Sequence, residues 1–225
     1  MNRHYMIDIE TTGTNKDTDD VLEIGIVPIT LDDDGFWETG IRDYNNEVVP
    51  WDIHLTLHSK RQPTNIFAIE HMGKLYKKCN EQPESQDYSW ATDKIRNFIH
   101  AEGAVIPYPH RPKFFMGWNA SNFDCEFLIQ KGILEGSKYV EIDGKEVLTG
   151  DIHYRIYEQT GALNLLLNST GLSKKSLFAL GGDLIPEHIK CELPLGKKHD
   201  ALYDCYEQIN TMNGMIAIAK KGWIK

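Results

Sequence analysis

Residues 21–31, VLEIGIVPITL, are a long run rich in β-branched side chains. Such side chains are stiff at the first torsion and fit a pleated sheet better than a helix. DDDG at 32–35 breaks the run, and Asp34-Gly35 favours a tight turn. On its N-terminal side, HYMIDIE (4–10) reads as a strand followed by the turn-rich TTGTNKDTDD. On its C-terminal side, FWETGIRDYNNEVV (36–49) reads as a third, antiparallel strand. A chain that opens in this way starts with an antiparallel half-sheet.

Helical periodicity takes over after Pro63. Ile66, Phe67, Ile69, Glu70, Met72 and Leu75 fit an amphipathic stretch ending near Lys77-Lys78, and Trp90, Ile95, Phe98 and Ile99 recur at helical spacing within 88–101. PYPHRP (107–112) interrupts the chain, KFFMGWN (113–119) reads as a short buried strand, and FDCEFLIQKGIL (123–134) as a helix. GKEVLTGD (144–151) reads as a strand entering a helix at 152–159. A short helix is expected around 174–180, within a stretch (160–198) interrupted by Gly and Lys, and a last helix from about His199 to Lys221. Strands first, then alternating helices and strands, predict a mixed α/β sheet. The 225 residues suit a single domain, 1–225, with room for a helical insertion around 56–102.

Within the first strand, alternate residues share a face, so Asp8 and Glu10 point one way while Tyr5, Ile7 and Ile9 point the other. Two carboxylates side by side on an apolar, central strand repel each other and resist desolvation. Bound cations remove both penalties. An exposed edge would also do so, but the neighbouring side chains are too apolar for one. Gly13, at the strand's end, suits either an ordinary turn or a close approach of backbone to a ligand. Asp124 stands where the strand FFMGWN meets the helix FDCEFL. It is either a helix cap or a residue projected into a cleft at the sheet's end. In KKHDALYDCYEQI, Asp200 and Asp204 share a helical face whereas His199 and Asp204 do not. His199 can work with Asp204 only from the helix entrance or the preceding loop.

Charge narrows the partners. With 24 Lys and Arg against 33 Asp and Glu, the net charge is −9, which argues against coating nucleic acid through counterion release. It leaves room for a local grip on a strand end, because a bound divalent cation inverts the field around clustered acids. The basic stretches at Lys74/Lys77/Lys78, His110-Arg111, Lys174-Lys175 and Lys197-Lys198 read first as solvated faces. Cys79, Cys125, Cys191 and Cys205 form no C-x-x-C pair, so neither a zinc site nor a disulfide framework follows, and a reducing compartment is expected. No segment approaches about 18 consecutive apolar residues. A soluble, cytoplasmic protein without a membrane span is expected, in a bacterial or phage-infected cell.

Taken together, DIETTG (8–13), NFD (122–124) and HDALYD (199–204) resemble the three motifs of the DEDDh branch of the DnaQ-like 3′→5′ exonuclease superfamily. The H-x4-D spacing marks this branch, VLEIGIV resembles its second strand, and the likeness is greatest to phage exonuclease A and the related small exoribonucleases. GDIHYRI (150–156) has a counterpart there. The resemblance implies an RNase H-like fold, a five-stranded mixed sheet flanked by helices. It also implies an enzyme in which Asp8, Glu10, Asp124 and Asp204 ligate two Mg²⁺ or Mn²⁺ ions. His199 would act as general base. Thr11, Thr12, Gly13 and Asn122 would hold the terminal nucleotide. The substrate implied is the 3′ end of single-stranded DNA, releasing nucleoside 5′-monophosphates. RNA ends are the alternative, and a silent binding module or a generic metallophosphatase stands further off. The family's second motif has an asparagine three residues before its aspartate, where this chain has Ser121, with Asn119 and Asn122 nearby. Asp151 and Arg155 lie outside the implied ligand set. Several relatives form dimers, and no residue here decides for or against a homodimer.

Overall fold

The computed structural model describes residues 3–42, 48–49, 51–82, 86–101, 113–136, 138–149, 157–158, 163–164, 167–168, 171, 173–196 and 198–222. Two long strands organise it. Strand β1 (Arg3–Thr11) pairs antiparallel with β2 (Val21–Leu31) from His4↔Ile29 to Glu10↔Glu23, with an irregularity between Glu10 and Thr11. The β-branched run therefore forms the strand expected of it, and nine consecutive residues of β2 are buried.

The expected third strand is broken. Residues 36–49 supply β3 (Trp37–Thr39), antiparallel to β2, and then β4 (Ile41–Arg42) and β5 (Val48–Val49), which pair with each other. Gly40, with φ of 116°, marks the break, since a backbone in that region is comfortable only without a Cβ. A strand that local pattern does not predict, β6 (Ile53–Thr56), covers the other half of β2's outer edge, from Glu23↔Thr56 to Ile26↔Ile53.

On the far edge of β1, β7 (Lys113–Gly117) runs parallel from Arg3↔Lys113 to Met6↔Met116. Residues 138–149 form a separate hairpin of β8 (Lys138–Ile142) and β9 (Lys145–Thr149). The strand expected near 144–151 is thus present, but it lies outside the main sheet. Of the helix expected at 152–159, residues 157 and 158 instead form β10 (Tyr157–Glu158), parallel to β7; 150–156 and 159 lie outside the described residues. The outer edge of β7 offers backbone partners that outbid local helical periodicity. The main path is β10-β7-β1-β2-β3, a five-strand mixed sheet with β6 joined to β2 beside β3.

Helices cover both faces. α1 (Ile66–Glu81) starts at Asn65, whose side chain caps the Ala68 N–H, and α2 (Tyr88–Ala101) matches the predicted span. One core layer joins Tyr5, Ile7 and Ile9 of β1 to Ile95 and Ile99 of α2 and to Phe127 and Leu128 of α3 (Asp124–Gln130). The last helix is α5 (Ala201–Lys220), preceded by α4 (Lys174–Leu184). They pack the opposite face, where Met6, Val27 and Met116 meet Leu177, Cys205, Ile209 and Met212. The two helices cross where Gly181 and Gly214 touch; a Cβ on Gly214 would stand 3.1 Å from the Gly181 backbone. Burying side chains of this size contributes about 1.5–3 kcal/mol each. All four cysteines are free thiols. No helix among the described residues is long and apolar enough to cross a membrane.

Candidate active site

The face of β1 opposite Tyr5, Ile7 and Ile9 carries Met6, Asp8 and Glu10. Met6 is buried under α5, and the two acids continue that row toward the helix's N-terminal end, where Asp8 meets Gln208 and Glu10 lies near Asp204. Pairing with β7 stops at Met6, so the Ile9 N–H on that edge has no strand to bond. Asp124 takes it: its Oδ1 accepts from Ile9 N at 2.9 Å, and the residue is buried. This contact removes the reading of Asp124 as a helix cap. Asp124 is the first residue of α3, not its cap, and its carboxyl is held against β1 between the two acids.

Asp204 arrives from the other side, in the first turn of α5. Asp200 caps the helix through the Tyr203 N–H, and the Asp204 N–H bonds to the Asp200 carbonyl at 2.9 Å. The residue before the cap, His199, adopts φ of 69°, a left-handed conformation that His tolerates better than most residues. That kink turns its N–H onto Asp204 Oδ2 at 3.0 Å and brings its ring to Glu10, with Nδ1 3.9 Å from Oε1. His199 thus stands at the helix entrance, the place from which its spacing allowed it to meet Asp204. Its ring centroid also lies 4.9 Å from that of His71 on α1. Ligand-capable atoms of Glu10, His199 and Asp204 all lie within 4.8 Å of one another.

Packing these acids together is costly. Burial first, then the charges of Asp124, Glu10 and Asp204, push the Asp8 pKa well above the carboxylate range, against the pull of a hydrogen bond from Gln208. Burial, then Asp204, Glu23 and Asp124, raise Glu10 to about 9. Burial raises Asp204 to about 6, partly offset by the His199 N–H and Lys198. Asp204 Oδ1 is buried without a hydrogen-bond partner among the described residues. An orphaned anionic oxygen among like charges is what a hard cation with oxygen ligands would relieve, so the donor set fits divalent metal.

The residues expected around the terminal nucleotide are partly engaged within the protein. Thr11 Oγ1 donates to the Gly13 carbonyl, and buried Thr12 accepts the Asp20 N–H at 2.9 Å while its own carbonyl accepts from Thr64 N. Gly13 is packed tightly enough that a Cβ would strike Asp19 and Thr64 at 2.3 Å. Asn122 is exposed in the turn before α3, with its amide 3.4 Å from Asn119 Oδ1. Asp151 and Arg155 lie outside the described residues.

Two polar features were not foreseen from the sequence. Gln208 is buried on α5, one turn after Asp204; its Nε2 donates to Asp8 Oδ1 at 2.8 Å and its Oε1 accepts the Trp118 N–H at 2.9 Å. The i,i+4 spacing from Asp204 was the available signal. Glu23, opposite Glu10, is 1% exposed; its carboxylate meets His54 Nε2 and Lys78 Nζ, each at 3.4 Å, and the Ala201 N–H at 3.3 Å. Burial pulls the His54 pKa down, but Glu23 and Asp200 outweigh it and hold it above the ordinary value. A lone acid in an otherwise apolar strand was the signal there.

No family model and no curated protein sequence matches the chain. Its fold is that of solved exonuclease I structures. The zinc-bound form of the Escherichia coli exonuclease I–single-stranded DNA complex aligns over 99% of this chain and 42% of its own, with 14% identity and a TM-score of 0.55. The metal-free form of that complex aligns over 99% and 41%, at 13% identity and a TM-score of 0.54. A moderately thermophilic exonuclease I from Methylocaldum szegediense aligns over 98% and 41%, at 14% identity and a TM-score of 0.53. The chain thus spans about two fifths of the length of these proteins. At such identities the likeness is one of fold, and it supports the RNase H-like, mixed α/β architecture.

Proposed function

We propose that this chain is a metal-dependent 3′→5′ exonuclease that shortens single-stranded nucleic acid, DNA in preference to RNA. One observation carries the reading: four carboxylates from three distant segments converge on one space, where their charges raise the pKa of Asp8 and Glu10, and Asp204 Oδ1 has no hydrogen-bond partner among the described residues. A structural acid cluster would be hydrogen-bonded out of its repulsion. This one is held in place by Ile9 N, His199 N and Gln208, which fix the positions of the carboxyls without neutralising them.

Asp8, Glu10, Asp124 and Asp204 would hold two Mg²⁺ or Mn²⁺ ions, which supply stabilisation for the attacking and leaving oxygens of an in-line displacement. His199 takes the proton of the attacking water. Its ring already faces Glu10, with Nδ1 3.9 Å from Oε1, and imidazole is the side chain most often used as a general base. Thr11, Thr12, Gly13 and Asn122 form the binding side for the terminal nucleotide, which leaves as a nucleoside 5′-monophosphate. DNA is favoured because the same fold holds single-stranded DNA in the exonuclease I complexes.

The test uses 5′-labelled single-stranded DNA and an RNA of the same sequence, with Mg²⁺ or Mn²⁺. A ladder shrinking from the 3′ end is expected, abolished by chelation or by Asp8→Ala. His199→Asn, which keeps a left-handed backbone accessible, should slow it by about 10²–10⁴-fold, the range for a lost general base. Faster loss of the RNA would reverse the substrate preference. Intact strands of both kinds with both metals would overturn the reading.

A further inference from the structure

A cleft of about 470 Å³ opens beside Asp8 and Asp204 and runs between α4, α5 and the segment that carries Lys190, Leu193 and Lys198. Neither Glu10 nor Thr11 lines it, so it leads away from the Thr11–Gly13 end of β1. Its lining brings Trp118, Lys174, Lys190 and Lys198 together with apolar Leu177 and Met215. The Lys174 Nζ lies 5.5 Å from the centre of the Trp118 ring. Lys198 stands close enough to Asp204 to lower its pKa, against the push of burial.

This combination is selective. The molecule as a whole carries a charge of −9, yet three ammonium groups gather on one cleft that starts at the acids. A cavity of several hundred Å³ exceeds what an ion needs and matches an organic ligand. An aromatic ring among apolar side chains suits a base and sugar, and flexible lysines in the same lining suit phosphate oxygens. A duplex would need a broader basic track than one ring and a file of lysines.

We propose that the strand upstream of the scissile phosphate runs through this cleft, one base stacking on Trp118 and successive phosphates meeting Lys174, Lys190 and Lys198. The inference rests on the exonuclease reading above, and it adds a direction: the terminal nucleotide lies toward Thr11–Gly13 and the body of the strand toward α4. Glu207 also lines the cleft and, as a like charge, disfavours a phosphate seated against it.

The test measures binding of fluorescent oligothymidylates, from a dinucleotide to a decanucleotide, to the full chain with Ca²⁺ in place of Mg²⁺, over a range of salt. The wild-type protein should gain affinity with length. The Lys174→Ala/Lys190→Ala double variant should lose affinity in proportion to length, and its log–log salt slope for the decanucleotide should be shallower by about 1.4, since each phosphate contact on a single strand contributes about 0.7. Trp118→Ala should weaken the decanucleotide by about 5- to 150-fold, the range for one stacked base. Trp118 also packs on the core, so the lysine double variant decides the matter if Trp118→Ala unfolds. A double variant with wild-type affinity and slope would overturn the inference, as would affinity independent of length. Length-dependent, lysine-dependent binding without any Mg²⁺-driven shortening would keep the cleft and remove the exonuclease reading.

Discussion

At the scale of single residues, the site is defined by who satisfies each carboxylate oxygen. Gln208 is the clearest case, because one buried amide holds Asp8 with its nitrogen and the Trp118 backbone with its oxygen. Gln208→Leu keeps much of the volume but removes both bonds. It strands the Trp118 N–H and frees Asp8 to turn toward its acidic neighbours. The expected outcome is a 10- to 100-fold loss in metal affinity or turnover, roughly the usual effect of removing a partner that orients a ligand. Titration of Mn²⁺ by calorimetry, beside the rate of strand shortening, checks it. Unaltered metal affinity and rate would show that Asp8 is held by packing alone.

At the scale of elements, the register between β2 and α5 sets the distance between Glu10 and Asp204. Gly25 on β2 lies directly under the start of α5, where a Cβ would approach the Ala201 carbonyl carbon and oxygen at 2.6 Å. Neither atom belongs to a flexible side chain, so the helix itself must move. Gly25→Ala should therefore lift the first turn of α5, carrying His199 and Asp204 with it. We expect a destabilisation of about 1–3 kcal/mol, as for overpacking elsewhere, and a loss of activity larger than the change in stability explains. Chemical denaturation and rate measurements on the same preparation separate the two. Asp200→Ala, which removes the cap and one of the acids beside His54, should cost about 1 kcal/mol and leave the folded protein's metal affinity nearer to wild type than Gly25→Ala does.

At the scale of the whole molecule, the acid cluster couples folding to pH and metal. Asp8, Glu10 and Asp204 all have pKa values raised above their ordinary range, Glu10 to about 9 and Asp204 to about 6. Between the ordinary carboxylate pKa and those values, the folded state binds more protons than the unfolded state. Stability without metal must then fall as pH rises through that window, by up to about 1.4 kcal/mol per pH unit for each proton involved. The metal-free protein should melt at progressively lower temperature from pH 5 to pH 9. Mg²⁺ or Mn²⁺ should restore the loss, most strongly at the alkaline end. Glu10→Gln should flatten the metal-free profile and shrink the metal-induced rise. A metal-free melting temperature that climbs with pH would contradict the placement of these acids.

Strands β1 and β2, helix α2 and the helix over Ala201–Lys220 were legible in the sequence, because each buries a face whose periodicity is written locally. So were the identities of the acids and of His199, through the spacing of three short motifs. Where long-range pairing decides, local pattern failed. Residues 157 and 158 joined the edge of β7 instead of a helix, 36–49 broke at Gly40, and β6 formed because β2 had an edge to fill. The same division holds at the site. Sequence alone determined that Asp8 and Glu10 share a face of a strand and that His199 can meet Asp204 only from the helix entrance or the loop before it. Only the tertiary structure decided that Asp124 bonds to β1 rather than capping its own helix, that Gln208 holds Asp8, and that Glu23 backs Glu10. Each of those contacts joins atoms more than a hundred residues apart or across a strand register, and a hydrogen bond at such separation leaves no periodic trace in the chain that makes it.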